Sequence, residues 1–85
     1  MTLKVIVSDA ARKELGRMDR AVAARVLNAV YRYANTGYGD VKAMKGKPGE
    51  YRLRVGDWRV RFALDPTRGE LVVQHVLNRR EAYRD

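Results

Sequence analysis

No cysteine occurs among the 85 residues, which excludes a disulfide framework and a thiolate metal site. With a single histidine the chain cannot build a multi-histidine metal centre, although carboxylates are available. There is no run of about 18 apolar residues, so no membrane-spanning helix is expected. The N-terminus lacks the charged-then-apolar pattern of a signal peptide, and the expected location is the cytoplasm. Without disulfides a chain this short relies on packing, or on packing helped by a partner. Its length admits one core and therefore one domain, residues 1–85.

What is present is apolar content and positive charge. Hydrophobic residues make up 46% of the chain, enough for a small packed core and too many for disorder. The formal net charge is +8. Such an excess points to nucleic acid, an acidic membrane surface or an acidic protein partner, against the plainer reading of a soluble basic surface. Distribution separates these. Between Lys42 and Arg61 stand seven bases (Lys42, Lys45, Lys47, Arg52, Arg54, Arg59 and Arg61), opposed only by Glu50 and Asp57. More than half of the net charge thus lies in under a quarter of the chain, as a binding site would require.

Leu3 to Val7 read as a first strand, being apolar and β-branched. Ser8 and Asp9 are N-cap residues for a short helix through about Leu15, ended by Gly16. Asp19 caps a longer helix to about Asn35, with Gly37 suited to the position after its end. Val22, Ala23, Val26, Leu27 and Val30 give that helix an apolar stripe, read as core rather than as a docking groove. Tyr38 to Glu50 reads as a loop with one short strand around Val41 to Met44. Two runs of period two follow, Tyr51–Val55 and Trp58–Leu64, joined by Gly56-Asp57, a two-residue turn of type I′ or II′. Asp65 to Gly69 is a second turn, and Leu71 to Leu77, apolar on both faces, is a strand with neighbours on both sides. Asn78 to Asp85 is a polar tail with about one helical turn. The order predicts an α+β domain: an N-terminal strand, a helical hairpin, then a three- to four-stranded, mostly antiparallel sheet.

A two-residue turn fixes register. Val55 then lies opposite Trp58, Arg54 opposite Arg59, Leu53 opposite Val60 and Arg52 opposite Arg61, so four arginines leave one side of the hairpin. Like charges directly opposite destabilise a sheet. A polyanion site accounts for them, because arginine binds phosphate bidentately and stays charged. The alternatives are a solvated outer face, or neutralisation by acids from elsewhere in the chain. The tail adds Arg79, Arg80, Tyr83 and Arg84. Tyr83 can stack on a base or bond a phosphate, and can equally clasp a sheet end.

The element order, the stretch MKGKPGEYRLRVGDWRVRFALD and the ending VLNRREAY resemble the RelE/ParE superfamily of toxins over essentially the whole chain. The resemblance implies the toxin of a type II toxin–antitoxin pair, bound by a cognate antitoxin. RelE-like members are ribosome-dependent mRNA endonucleases acting on mRNA in the ribosomal A site, whereas ParE-like members poison DNA gyrase. Carried onto this chain, the nuclease pattern assigns Arg52 and Arg54 on the first hairpin strand, Arg59 on the second, and Arg79 and Tyr83 near the C-terminus to the scissile phosphate and its base. Lys45, Lys47, Arg61, Arg80 and Arg84 extend the RNA-binding surface. The implied reaction is attack of a ribose 2′-hydroxyl on the adjacent phosphate, which needs a base, an acid and cations but neither metal nor cofactor.

Two departures bear on mechanism. Lysines often stand in these relatives where Arg52 and Arg54 stand here, and arginine effectively cannot lose its proton. Many relatives carry histidine just before the C-terminal arginine, where this chain has Asn78; its lone His75 lies three residues earlier, inside the expected strand. In one subgroup a Glu after a GKP stretch transfers protons, and here GKPG precedes Glu50, one residue displaced. Glu50, His75 and Tyr83 are the groups left for proton transfer. A ParE-like inhibitor, or a basic nucleic-acid-binding module without chemistry, would share the same charge pattern.

Overall fold

A computed structural model describes residues 2–82. The chain runs β1 (Lys4–Val7), α1 (Asp9–Gly16), α2 (Arg20–Thr36), β2 (Val41–Ala43), β3 (Glu50–Val55), β4 (Trp58–Asp65), β5 (Glu70–Asn78) and a single turn, α3 (Arg79–Ala82). The strands form one sheet in the order β1-β5-β4-β3-β2. The expected α+β order holds. Four strands follow the helices, and β1 joins them as a fifth, parallel to β5, so that first and last strands pair.

Local sequence explains the helix ends. The Ser8 hydroxyl accepts from the Ala11 amide at 3.1 Å and so caps α1. Asp19 does the same for α2 through the Ala21 amide at 2.9 Å. Gly37, at φ 77°, closes α2 in the left-handed conformation that residues with a Cβ disfavour. Val26, Val30 and Ala34 of α2 and Ala11 of α1 are buried against Leu53, Val55, Val60, Phe62, Leu71, Val73 and Val76. Both helices therefore lie on one face of the sheet. Phe62 is the bulkiest fully buried side chain, with ring centroids 5.4 Å from Tyr33 and 5.6 Å from Tyr51.

The turn at Gly56-Asp57 produces the register read from its length: Val55 with Trp58, Arg54 with Arg59, Leu53 with Val60, Arg52 with Arg61. Gly56 has φ 58° and Asp57 does not share a positive φ, the pattern of a II′ turn. The strand β5 holds a surprise. Phe62 pairs with Val73 but Arg61 pairs with His75, leaving Gln74 as an extra, bulged residue. Strict alternation from Leu71 and Val73 would send His75 into the core. The bulge shifts the phase, so that Val76 is buried and His75 turns to the opposite face.

Replacing Phe62 by alanine removes a ring from the centre of this core. The expected loss is about 3–5 kcal/mol of unfolding free energy, a large share of the roughly 5–15 kcal/mol of a typical domain. Urea denaturation followed by Trp58 fluorescence measures it.

Candidate nucleic-acid interface

The sheet face away from α1 and α2 carries the charge. Register links Lys42 to Arg52, Arg52 to Arg61, and Arg61 to His75. These four residues form a lateral row across β2, β3, β4 and β5. Strands lie about 4.8 Å apart, so each side chain stands next to another basic or protonatable one. At about 5 Å a pair of unit charges repels by about 1 kcal/mol in water and about 3 kcal/mol at an effective dielectric of about 20. A bound polyanion adds attraction to each cation that can outweigh that repulsion. Lys42 and Arg54 are exposed, while Arg52, Arg61 and His75 are half-buried, their stems along the sheet.

A second row places Arg54 opposite Arg59. Here the repulsion is relieved inside the fold. Arg59 is only 5% exposed. Its Nη1 donates to the carbonyls of Gly56 at 2.9 Å and Trp58 at 3.0 Å. The four arginines share a face, as their register requires, but Arg59 is built into the hairpin turn and forms a floor rather than a rim.

The surface gathers the sequence-derived candidates into three recesses. Arg52, Arg54 and Arg59 line a depression of about 140 Å³ with Lys42 and Asp40. Lys47, Glu50, Arg61 and His75 line a cleft of about 390 Å³ with Gln74. Arg79 and Arg80 border a recess of about 650 Å³ with Asp57 and Asn78, at the hairpin tip; the Arg79 amide donates to the Asp57 carbonyl at 2.7 Å. Lys45 is exposed in the loop between β2 and β3. Tyr83 and Arg84 lie outside the described residues.

Four residues missing from the sequence-derived set enter the site. Lys42 was counted in the basic cluster, but the β2–β3 connection is longer than a defined hairpin turn and gave β2 no readable register. Asp40 places a carboxylate in the central depression. Gln74 enters through the bulge. Glu14, on α1, reaches the end of the row: its Oε2 is 3.3 Å from His75 Nδ1, and its Oε1 accepts the Val76 amide at 2.8 Å. It stands 61 residues from His75, and no local pattern announces that contact. Chemically, the arginines and Lys42 can hold phosphate oxygens and developing negative charge. Glu50 and His75, side chains chemically able to exchange protons, share the neighbouring cleft with Lys47 and Arg61.

The sequence matches the family model for the ParE toxin of type II toxin-antitoxin system, parDE, over residues 5–83. The chain belongs to that family. The RelE/ParE superfamily resemblance of the hairpin and C-terminal motifs is thereby borne out, and the protein is a type II toxin of this superfamily. No curated protein sequence matches it. Among solved structures it is similar to the toxin–antitoxin complex RelBE2 from Mycobacterium tuberculosis, with 18% identity, 93% of each chain covered and a TM-score of 0.82. It is also similar to the archaeal RelE–RelB complex from Pyrococcus horikoshii OT3, with 22% identity, 93% of this chain and 97% of that one covered, and a TM-score of 0.78. A double mutant of E. coli toxin RelE in the free state gives 15% identity, coverage of 98% and 88%, and a TM-score of 0.81. At these identities the likeness is one of fold.

Within the toxin's arginine set, stability and binding separate by position. Arg59→Ala is expected to cost about 1–3 kcal/mol of unfolding free energy, because two turn carbonyls lose charge-assisted bonds, while Arg54→Ala stays within about 0.5 kcal/mol. Conversely, Arg54→Ala weakens binding of a single-stranded RNA oligonucleotide and flattens the slope of log K against log salt by about 0.7. Chemical denaturation and a salt series of fluorescence anisotropy titrations read the two effects.

Proposed function

We propose that the toxin is a ribosome-dependent mRNA endonuclease, neutralised by a cognate antitoxin. The observation that carries this reading is the row Lys42–Arg52–Arg61–His75, in which phosphate-binding cations and a group able to move a proton share one line across four strands. In the reaction, a base takes the proton of a ribose 2′-hydroxyl and the oxygen bonds to the adjacent phosphorus. The bond from phosphorus to the 5′ oxygen breaks, and that oxygen takes up a proton. The products are a 2′,3′-cyclic phosphate and a 5′-hydroxyl, balanced without a metal or an oxidant. Extra negative charge builds on the phosphoryl oxygens in the transition state. In this reading Arg52, Arg61 and Lys42 stabilise it, with the exposed Arg54 beside them and the turn-anchored Arg59 as the floor. Arg79 and Tyr83 complete the assignment at the C-terminal side, toward the phosphate and the base. Because arginine holds its proton, proton transfer falls to His75, Glu50 and Tyr83, of which His75 and Glu50 line one cleft. Dependence on the ribosome places the activity in the cytoplasm.

The antitoxin follows from the same surface. A segment acidic enough to neutralise the row, or amphipathic enough to cover the helices as well, would silence the toxin by occupying its substrate's place. The M. tuberculosis and P. horikoshii relatives are complexes of this toxin–antitoxin kind, which supports the reading. Salt should weaken the complex where it covers the arginines.

A second reading is favoured by the family description itself, which is that of ParE toxins. A gyrase inhibitor would use the fold and the charge without cleaving RNA. Mapping mRNA 5′ ends after induction, with and without active translation, separates the two. The nuclease yields new 5′-hydroxyl ends within translated codons, and these disappear in Arg52→Ala and Arg61→Ala together with growth inhibition. Induction of a DNA-damage response with intact mRNA would transfer the assignment to gyrase.

A further inference from the structure

We propose that Glu14 is a positioning residue that fixes the tautomer of His75, directing the lone pair of Nε2 into the basic cleft as the proton acceptor for RNA cleavage. The catalytic consequence rests on the nuclease reading; the tautomer rests on geometry alone. The Glu14 carboxylate is held at both oxygens. Oε1 accepts the Val76 amide at 2.8 Å, and Oε2 lies 3.3 Å from His75 Nδ1. The helix that carries it is itself tied to the same stretch of β5, since the Ser8 hydroxyl donates to the Gln74 carbonyl at 2.9 Å and the Ser8 amide donates to the Val73 carbonyl at 3.0 Å. Ser8 and Glu14 thus grip β5 on either side of its bulge.

An ionised carboxylate only accepts hydrogen bonds, so the proton of a neutral imidazole facing it sits on Nδ1. Nε2 is then the unprotonated nitrogen. The His75 side chain is 45% exposed and that of Glu14 is 22% exposed, so the imidazole is reachable while its anchor is sheltered. The ring lines the cleft with Lys47 from the β2–β3 loop, Glu50 at the start of β3, Arg61 opposite on β4 and its own neighbour Gln74. Two cations and a second carboxylate therefore surround it, besides Glu14 behind. The arrangement gives the cleft an acceptor that the arginines cannot provide and cations that the histidine does not.

The single histidine makes the test direct, because histidine labelled with nitrogen-15 gives one imidazole spin system. In the free toxin, at a pH high enough for the imidazole to be uncharged, the expected spectrum has a protonated Nδ1 and a pyridine-type Nε2. Glu14→Gln keeps an oxygen for the Val76 amide but can turn an amide donor toward His75, so Nε2 is expected to gain the proton. Cleavage of mRNA by the variant on translating ribosomes should fall by about 10²-fold or more in kcat, with KM little changed. His75→Gln should lose as much, and adding Glu14→Gln to it should cost little more. A protonated Nε2 in the wild-type spectrum, or a mixture of tautomers in equal amounts, overturns the proposal even if Glu14→Gln fails to fold. A tautomer that switches while kcat holds also overturns it and leaves the nuclease reading standing. A wild-type toxin that cuts no mRNA overturns the nuclease reading, and with it the role given to His75, whatever the spectrum shows.

Discussion

β5 outlasts its parallel partner. β1 pairs with it only as far as Val73, and beyond that point the strand would present unpaired backbone groups along its edge. Unpaired amides and carbonyls are expensive where water is excluded. The N-cap of α1 and one of its side chains take them: the Ser8 hydroxyl donates to the Gln74 carbonyl and Glu14 accepts the Val76 amide. The satisfied edge lets β5 bulge at Gln74 and change phase. Val76 then fills the core and His75 joins the cationic face. Core packing, sheet edge and site composition thus meet in about two turns of helix and three residues of strand.

The opposite face accepts a standing electrostatic cost. Lys42, Arg52 and Arg61 stand side by side across three strands, and Arg54 faces Arg59. Cross-strand pairs of like charge weaken a sheet, and the hairpin offsets this on two fronts. Its inner face buries Leu53, Val55, Val60 and Phe62. Arg59 folds back onto the turn carbonyls. An anionic ligand would add attraction on this face, so the residues that shape the outer side of the hairpin are also those that a polyanion would meet.

Arginine in these positions also divides the labour. A guanidinium binds and stabilises charge without surrendering a proton. On the proposed reading, groups that exchange protons must come from elsewhere, and the cleft holds two candidates from distant segments, Glu50 at the head of β3 and His75 after the bulge in β5, with Glu14 on α1 behind His75 as its anchor. A site assembled in this way depends on the tertiary fold more than one confined to a hairpin would.

The sequence by itself determined the β-hairpin and its charge. Period-two alternation from Tyr51 to Leu64, interrupted by a two-residue Gly-Asp turn, leaves one register, and side-chain direction follows from register because strand geometry is local. The caps at Ser8 and Asp19 and the apolar stripe of α2 were legible for the same reason: each depends on residues within a turn of helix. What lay beyond was set by contacts between distant segments. The register of β2, which brings Lys42 beside Arg52, rests on a longer loop with no defined turn. The pairing of β1 with β5 joins the two ends of the chain. The bulge at Gln74 reverses the facing of His75 against simple alternation. Only the tertiary structure decided these, because the free energy that selects them, burial of Val76 and satisfaction of an open strand edge by a helix some 60 residues away, is not present until the sheet and α1 meet.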